Sequence, residues 1–235
     1  MSKELFSALD VIKSFSNYNR WLYDQLHPHL NGTVVDIGSG IGTMPCFYSG
    51  NAIIKKVIVS DIFEEMLGIL RKRFKNEPSF EVIEYDLVKL PPASLCNVAD
   101  VVTCINVLEH IENDRQALLH MAKILKPGGK LVLLVPSLMC IYGSLDRLVG
   151  HYRRYTKPMV AKTIDAEVFD ICEIRYMNMF GVFSWFVSGR VLRLNRFDAN
   201  ACGALDKIVP FFKNLERLFI PLFGQSLVIV CQKKL

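Results

Sequence analysis

Thr33-Val34-Val35-Asp36-Ile37-Gly38-Ser39-Gly40-Ile41-Gly42 decides how this 235-residue chain folds. An apolar run rich in β-branched residues ends in an acid, and glycines follow at alternate positions. The stretch reads as a buried strand that empties into a turn where side chains would obstruct a ligand. Gly38, Gly40 and Gly42 permit positive φ and close approach to the backbone. A helix read over about 41–49 would aim its free N–H groups at the same place.

Outward from this point, strands and helices alternate. Apolar runs at Thr33–Ile37, Lys56–Ser60, Glu81–Tyr85, Asp100–Ile105 and Lys130–Val135 predict strands, and segments near 41–49, 62–75 and 113–125 predict helices. Such alternation implies a parallel sheet covered on both faces. Leu125-Lys126-Pro127-Gly128-Gly129-Lys130 reads as a helix end, a turn and the start of the fifth strand. Val168–Asn178 and Ser226–Gln232 predict two further strands, expected to form an antiparallel edge. The segment between them, 181–225, is rich in Phe, Trp, Leu and Val and reads as a helical insertion. Two short helices are expected within 3–30, the second carrying Tyr18, Arg20, Trp21 and Tyr23.

The fold class is therefore α/β. It is a Rossmann-like three-layer sandwich whose seven-stranded, mostly parallel sheet has an antiparallel last strand. N-terminal helices precede the sheet and a helical insertion precedes the last strand. A single domain over 1–235 is expected, divided at 1–30, 31–180, 181–225 and 226–235.

Composition narrows the function classes. Hydrophobic residues make up 51% and charged residues 22%, an ordinary globular balance. The net charge of +5 is mild, and Lys55-Lys56, Arg71-Lys72-Arg73 and Arg153-Arg154 are scattered and interrupted by acids. No clustered stripe suggests a nucleic-acid surface. The seven cysteines lie singly, without C-x-x-C pairs or histidines at zinc-finger spacing, which suits a reducing compartment. Ser2-Lys3-Glu4 does not open a signal peptide. The uncharged runs near 176–189 and 218–232 fall short of the roughly 20 residues of a bilayer span. A cytoplasmic protein is expected.

A dinucleotide site needs G-x-G-x-x-G, whereas the pattern here is Asp36-x-Gly38-x-Gly40-x-Gly42. On this motif, and on the run from Asn106-Val107-Leu108-Glu109-His110-Ile111 to Leu125-Lys126-Pro127-Gly128-Gly129, the chain resembles the class I S-adenosylmethionine-dependent methyltransferases. The resemblance covers about 15–178 and implies S-adenosylmethionine as cofactor, with S-adenosylhomocysteine as product. It implies Asp36, Gly38, Ser39 and Gly40 around the methionyl half. Asp61, which ends the second strand beside Ile62, would take the ribose hydroxyls. Asp86 would receive the adenine amino group, with Leu87 packed on the ring, and Asn106 and Val107 complete the set. Segment 31–180 is thus the cofactor-binding core, 1–30 a helical cap, and 181–225 a lid over the acceptor. Other roles stay open: Asp36 as a turn cap, Asp61 as the N-cap of the next helix, Asp86 as a turn residue, Tyr18 and Trp21 as core. An acid after the second strand serves dinucleotide enzymes equally well.

Methyl transfer from a sulfonium is an in-line displacement with an activated leaving group. The protein supplies alignment and desolvation, and a base where the acceptor must lose a proton. Reacting groups gather outside the carboxyl ends of the strands, which brings Asn106 and the segment Leu138–Lys157 to the acceptor. The run Leu145–Lys157, LDRLVGHYRRYTK, resembles a bacterial "HYRRY" methyltransferase group associated with glycosyltransferases and saccharide biosynthesis. Imidazoles ordinarily change charge close to physiological pH, which makes His151 the candidate catalytic base. Tyr142, Tyr152 and Arg154 are candidate substrate contacts, an arginine being able to grip a phosphate or carboxylate. Alternatively, His151 and the arginines brace the loop by bonding carbonyls and acids such as Asp146. Thr156 reads as a helix N-cap, and His110 as a helix-start or cofactor-wall residue. No convergent set of acids and histidines stands out, so no metal ligand is assigned. Met179, Phe180, Phe183, Trp185 and Phe186 read as packed core, as a greasy acceptor pocket, or as a membrane-resting surface with Arg190, Arg193 and Arg196 towards anionic headgroups.

The expected function is methyl transfer from S-adenosylmethionine to a hydroxyl oxygen of a small-molecule or lipid-linked acceptor, saccharides leading. The rivals are a C- or N-methyltransferase of a hydrophobic metabolite, a dinucleotide-dependent dehydrogenase, and a non-catalytic cofactor-binding partner subunit. No nucleic-acid partner is expected. Peripheral membrane contact through 181–225 and a monomer or homodimer complete the expectation.

Overall fold

A computed structural model describes residues 11, 13–196 and 198–235 of the chain. Most of the first expected N-terminal helix lies outside the described residues. The second is present as α1 (Ser16–Leu26). Seven strands follow: β1 (Gly32–Ile37), β2 (Ile54–Asp61), β3 (Phe80–Glu84), β4 (Ala99–Ile105), β5 (Leu125–Pro136), β6 (Phe169–Met177) and β7 (Ser226–Lys233). They form one sheet of order β3-β2-β1-β4-β5-β7-β6. β1 to β5 run parallel, and β7 slots antiparallel between β5 and β6. The antiparallel strand is therefore interior, and β6 forms the edge.

The alternation of side chains across the pleat sorts the core into two layers. Val34, Val57, Val101, Val132 and Val228 face α1 and α2 (Glu64–Arg73), meeting Leu22, Leu26, Leu70 and Phe74. Their neighbours Val35, Val102, Leu133 and Ile229 face the other way, onto α3 (Asp114–Ile124) and α5 (Lys157–Thr163), where Leu118, Met121, Val160 and Ile164 wait. Burying one such side chain is worth roughly 1.5–3 kcal/mol, so strands covered on both faces must be apolar throughout. This is why the runs could be read from the sequence.

The helices follow local signals. α2 starts with Glu64 and Glu65 and ends with Arg71, Lys72 and Arg73, matching the helix dipole. Asn113 caps α3 through its side chain, and Thr156 caps α5. The expected helix at about 41–49 does not form. Gly42 sits at φ +79°, and Pro45 has no N–H to continue a ladder, so the segment is a turn with one 3-10 turn at Pro45–Phe47. The LKPGG segment is also drawn into β5 at its start.

Beyond β5 come α4 (Ser144–Val149) and α5, and beyond β6 the insertion. The insertion consists of α6 (Met179–Phe186), a π-helical turn at Val187–Val191, and α7 (Ala199–Glu216). It is tied to the body by helix caps that its own acids supply. Asp206 of α7 accepts from the backbone N–H of Asn17 (3.0 Å) and Tyr18 (2.9 Å) at the start of α1. Glu216 accepts from the N–H of Asn178 (2.9 Å) and Met179 (2.8 Å) at the start of α6. Each contact satisfies donors that a helix start leaves orphaned. Among the described residues no helix is long and apolar enough to cross a membrane.

Candidate active site

β1 pairs with β2 on one side and β4 on the other, so the turn after Ile37 emerges at the centre of the sheet's carboxyl edge. Gly38, Gly40 and Gly42 hold φ of +67°, +54° and +79°. A Cβ on Gly38 would stand 2.5 Å from Cγ2 of Val107, which packs beneath the loop. The bend is held from below. Ser39 N–H donates to Ser60 O (2.8 Å), and Gly40 N–H donates to Asp61 Oδ2 (2.9 Å). The other oxygen of Asp61 accepts from Ile62 N–H (2.8 Å) and Phe63 N–H (3.1 Å). Asp61 therefore buttresses the loop; it is not the N-cap of α2, which begins at Glu64 after Phe63.

Asp36 is buried at 3% exposure and takes hydrogen bonds from Ser39 Oγ (2.7 Å), Thr103 Oγ1 (2.5 Å) and Tyr48 Oη (3.4 Å). Burial pushes its carboxyl up to about 6, and the three hydroxyls hold back a larger rise. Thr103 and Tyr48 were not singled out in the sequence. A threonine inside the apolar run Val101-Val102-Thr103-Cys104 was the available signal.

Backbone and side chains of Asp36–Ile41 form one end of a cavity of about 400 Å³. The acidic, glycine-lined end fits an amino-acid-bearing sulfonium nucleoside: no Cβ intrudes at Gly38 and Gly40, and a buried acid stands beside the loop. Asn106, at φ +53°, lies on the same wall. Asp61, Ile62, Asp86, Leu87 and Val107 lie outside it. Asp86 accepts from Val88 N–H (3.0 Å) and pairs with Lys89 (3.5 Å), a turn arrangement. Leu87 is buried and Ile62 half exposed. Tyr18 and Trp21 of α1 line the cavity, and Phe180, Trp185 and Phe212 of the insertion roof it.

The far end is organised by a residue that the sequence offered only as a brace. Asp146, fully buried, accepts from Arg154 Nε (2.6 Å), Trp185 Nε1 (2.9 Å) and Gly143 N–H (2.9 Å), and His151 Nδ1 lies 3.0 Å away. Burial alone would raise its carboxyl, but these partners hold it below the ordinary range. Arg154 stacks on Trp185 with its guanidinium carbon 4.7 Å from the ring centre, and it also donates to Ser137 O (2.9 Å). At 1% exposure it is a structural hub that touches the cavity wall.

His151 and His110 both face the cavity. Burial, then the neighbouring His151, lowers His110 to about 4, so its ring is neutral at neutral pH. Beside them Glu109 is fully buried, and burial raises its carboxyl to about 7. The remaining candidates do not join the wall. Tyr142 donates its hydroxyl to His151 O (2.7 Å), bracing the loop from behind, and Tyr152 is 56% exposed on the outside. The loop is stapled onto the end of β4 through Tyr152 N–H to Glu109 O (2.9 Å).

Comparison with known proteins agrees with this architecture. Residues 35–133 match the family described as "Methyltransferase domain". The ubiquinone/menaquinone biosynthesis C-methyltransferase UbiE of Hydrogenovibrio crunogenus is 26% identical over 173 residues, 71% of this chain and 61% of that protein. The demethylmenaquinone methyltransferase of Renibacterium salmoninarum is 32% identical over 131 residues, 54% of this chain and 52% of that one. The chain spans about half the length of the curated relatives it matches. Among solved structures, an S-adenosylmethionine-dependent methyltransferase from Mesorhizobium loti superposes with a TM-score of 0.61 at 16% identity, covering 90% of this chain and 95% of that one. Residues 35–133 thus match a methyltransferase domain, and the chain has the fold of solved S-adenosylmethionine-dependent methyltransferases.

Proposed function

We propose that the protein transfers a methyl group from S-adenosylmethionine to a small-molecule or lipid-linked acceptor, with a hydroxyl oxygen as the receiving atom. One observation carries this reading: a single cavity joins the glycine loop at Asp36–Ile41 to the imidazoles of His110 and His151. The bound donor would supply an electrophilic methyl on sulfur. Gly38 and Gly40 admit it against the backbone, and Asp36 offers a carboxylate to its ammonium. Trp21, Phe180, Trp185 and Phe212 exclude water from the transfer. The Asp146 contact fixes the proton of His151 on Nδ1, which leaves Nε2 to take the acceptor's proton.

The insertion supports a lipid-linked acceptor. It exposes Phe183, Leu192, Phe211, Ile220 and Leu222. Arg190, Arg193 and Arg196 stand exposed in the same segment. Apolar side chains with a basic fringe suit an anionic membrane surface. Resemblance to the HYRRY group favours a saccharide acceptor. A second reading, a carbon acceptor on a hydrophobic metabolite, is favoured by the UbiE-like relatives and by the aromatic roof over the cavity.

Incubating the protein with isotopically labelled S-adenosylmethionine and soluble or membrane extracts, then locating label by mass spectrometry, tests the proposal. A labelled methoxy product supports it. Label on carbon shifts the assignment to the second reading. Tight S-adenosylhomocysteine binding without any labelled product leaves a non-catalytic subunit.

A further inference from the structure

The acceptor end contains a carboxylate whose burial the proposed reaction does not explain. Glu109 has no exposed surface, and neither of its oxygens accepts a hydrogen bond from another residue. Buried carboxylates of this kind are ordinarily paired or bound to a cation. Here the nearest charge-bearing group is His151 Nε2, 3.6 Å from Oε1. His110 follows Glu109 directly in the chain, and its ring meets that of His151 edge-on with centroids 4.8 Å apart. One ligand atom from each of the three residues lies within 4.8 Å of the others.

The rings are already oriented from behind. His151 Nδ1 is 3.0 Å from Asp146 Oδ1, and His110 Nδ1 is 3.3 Å from Gly150 O. Such outer contacts hold the proton on Nδ1 and present Nε2 as the lone-pair donor, the arrangement that metal-binding histidines use. Donors about 2.1 Å from one ion stand roughly 3.4 Å apart. The Glu109–His151 pair, at 3.6 Å, is close to that spacing, and the ligand atoms of all three residues stand within 4.8 Å of one another. Both histidines open onto the cavity, so an ion held there would keep coordination positions for a further ligand.

We propose that Glu109, His110 and His151 form a binding site for a divalent transition-metal ion at the acceptor end of the cavity. Two imidazoles and one carboxylate suit Zn²⁺, Co²⁺ or Fe²⁺ better than Mg²⁺ or Ca²⁺, which prefer all-oxygen ligands. Resting on the methyl-transfer reading, the ion would orient an acceptor through its oxygen. His151 would then serve as a ligand in place of a direct contact to the acceptor's proton.

The test uses chelator-stripped full-length protein titrated with Co²⁺ alone, read by its visible absorption, and then with Zn²⁺ as competitor. One equivalent of Co²⁺, displaced by Zn²⁺ and bound at least about tenfold more weakly by Glu109→Gln and by His110→Ala, supports the site. No stoichiometric binding, or binding undiminished in both variants, overturns it. His110→Ala keeps the test decisive if the buried Glu109→Gln fails to fold. Calorimetry with S-adenosylhomocysteine on the same stripped samples separates the two readings. Retained nucleoside binding alongside lost metal binding in the variants places the metal effect at this site. Absent nucleoside binding in the parent removes the methyl-transfer reading while the metal result stands.

Discussion

The two ends of the cavity are built differently. At the glycine loop one contiguous segment shapes the site through its backbone, and Asp36 and Asp61 hold it from below. The acceptor end draws on separate segments. Glu109 and His110 follow β4, Asp146, His151 and Arg154 follow β5, Trp185 comes from the insertion, and Tyr18 and Trp21 come from α1. A backbone site is encoded by the residues that must be absent, namely side chains. A network site is encoded by partners whose proximity exists only once the chain has folded.

The sharpest way to break this contrast is to disrupt the hub of the network. Arg154→Met leaves Asp146 buried without its guanidinium partner, and truncating one member of such a pair costs about 3–5 kcal/mol. Urea denaturation should show that loss; a change below about 1 kcal/mol would mean that the ionic hub does not support the acceptor end.

The loop end predicts a pH effect. The carboxyl of Asp36 titrates near 6 when folded, against 3.8 for a free aspartate side chain, because burial favours the neutral form. Its contribution to stability is therefore complete below pH 3.8 and is lost as the pH rises through about 6. The gap is worth about 3 kcal/mol. Asp36→Asn removes this dependence, so the ligand-free parent should lose roughly that much stability relative to the variant between about pH 4 and 7. Parallel stability curves in the two proteins would disprove the burial effect. S-adenosylhomocysteine, through its ammonium, should bind more tightly as pH rises across the same window.

A smaller change probes the loop directly. Gly38→Ala would force a side chain at positive φ into Val107, and at least about a tenfold loss of nucleoside affinity is expected by calorimetry. Adding Val107→Ala should recover part of it, the φ strain remaining. No recovery would show that the Val107 contact is irrelevant.

The smallest expected effect lies on the outside of the insertion. Phe211→Ser and Leu222→Ser should leave stability within about 0.5 kcal/mol, both side chains being exposed. Each should weaken co-sedimentation with anionic vesicles several-fold. A parent protein that ignores such vesicles would reduce the apolar fringe to something other than a membrane contact.

How much was legible follows the same division. β1, β2, β4, β5 and β7 were readable because both faces of the central sheet are covered. The edge strands β3 and β6 are partly exposed yet still rich in apolar residues. Gly38, Gly40 and Asp36 announced the loop by position. The segment at 41–49 misled because its apolar content suggested a helix, while Pro45 and the conformation of Gly42 forbade one. Tyr142 and Tyr152 looked like substrate contacts from their place beside His151, yet the loop turns one behind His151 and the other into solvent. The brace through Asp146 was one of two open roles, and Glu109 passed as part of a motif.

The amino-acid order alone determined the strands, their mostly parallel run and the glycine bend after β1. These depend on periodicity, on chain stiffness and on φ values only glycine adopts freely, all of them local properties. Tertiary structure decided which acids and imidazoles share the acceptor end, which helices roof it, and where β7 inserts. Those outcomes arise from packing between residues distant in the chain, where burial changes a carboxylate's charge preference and no short window of sequence records the neighbour.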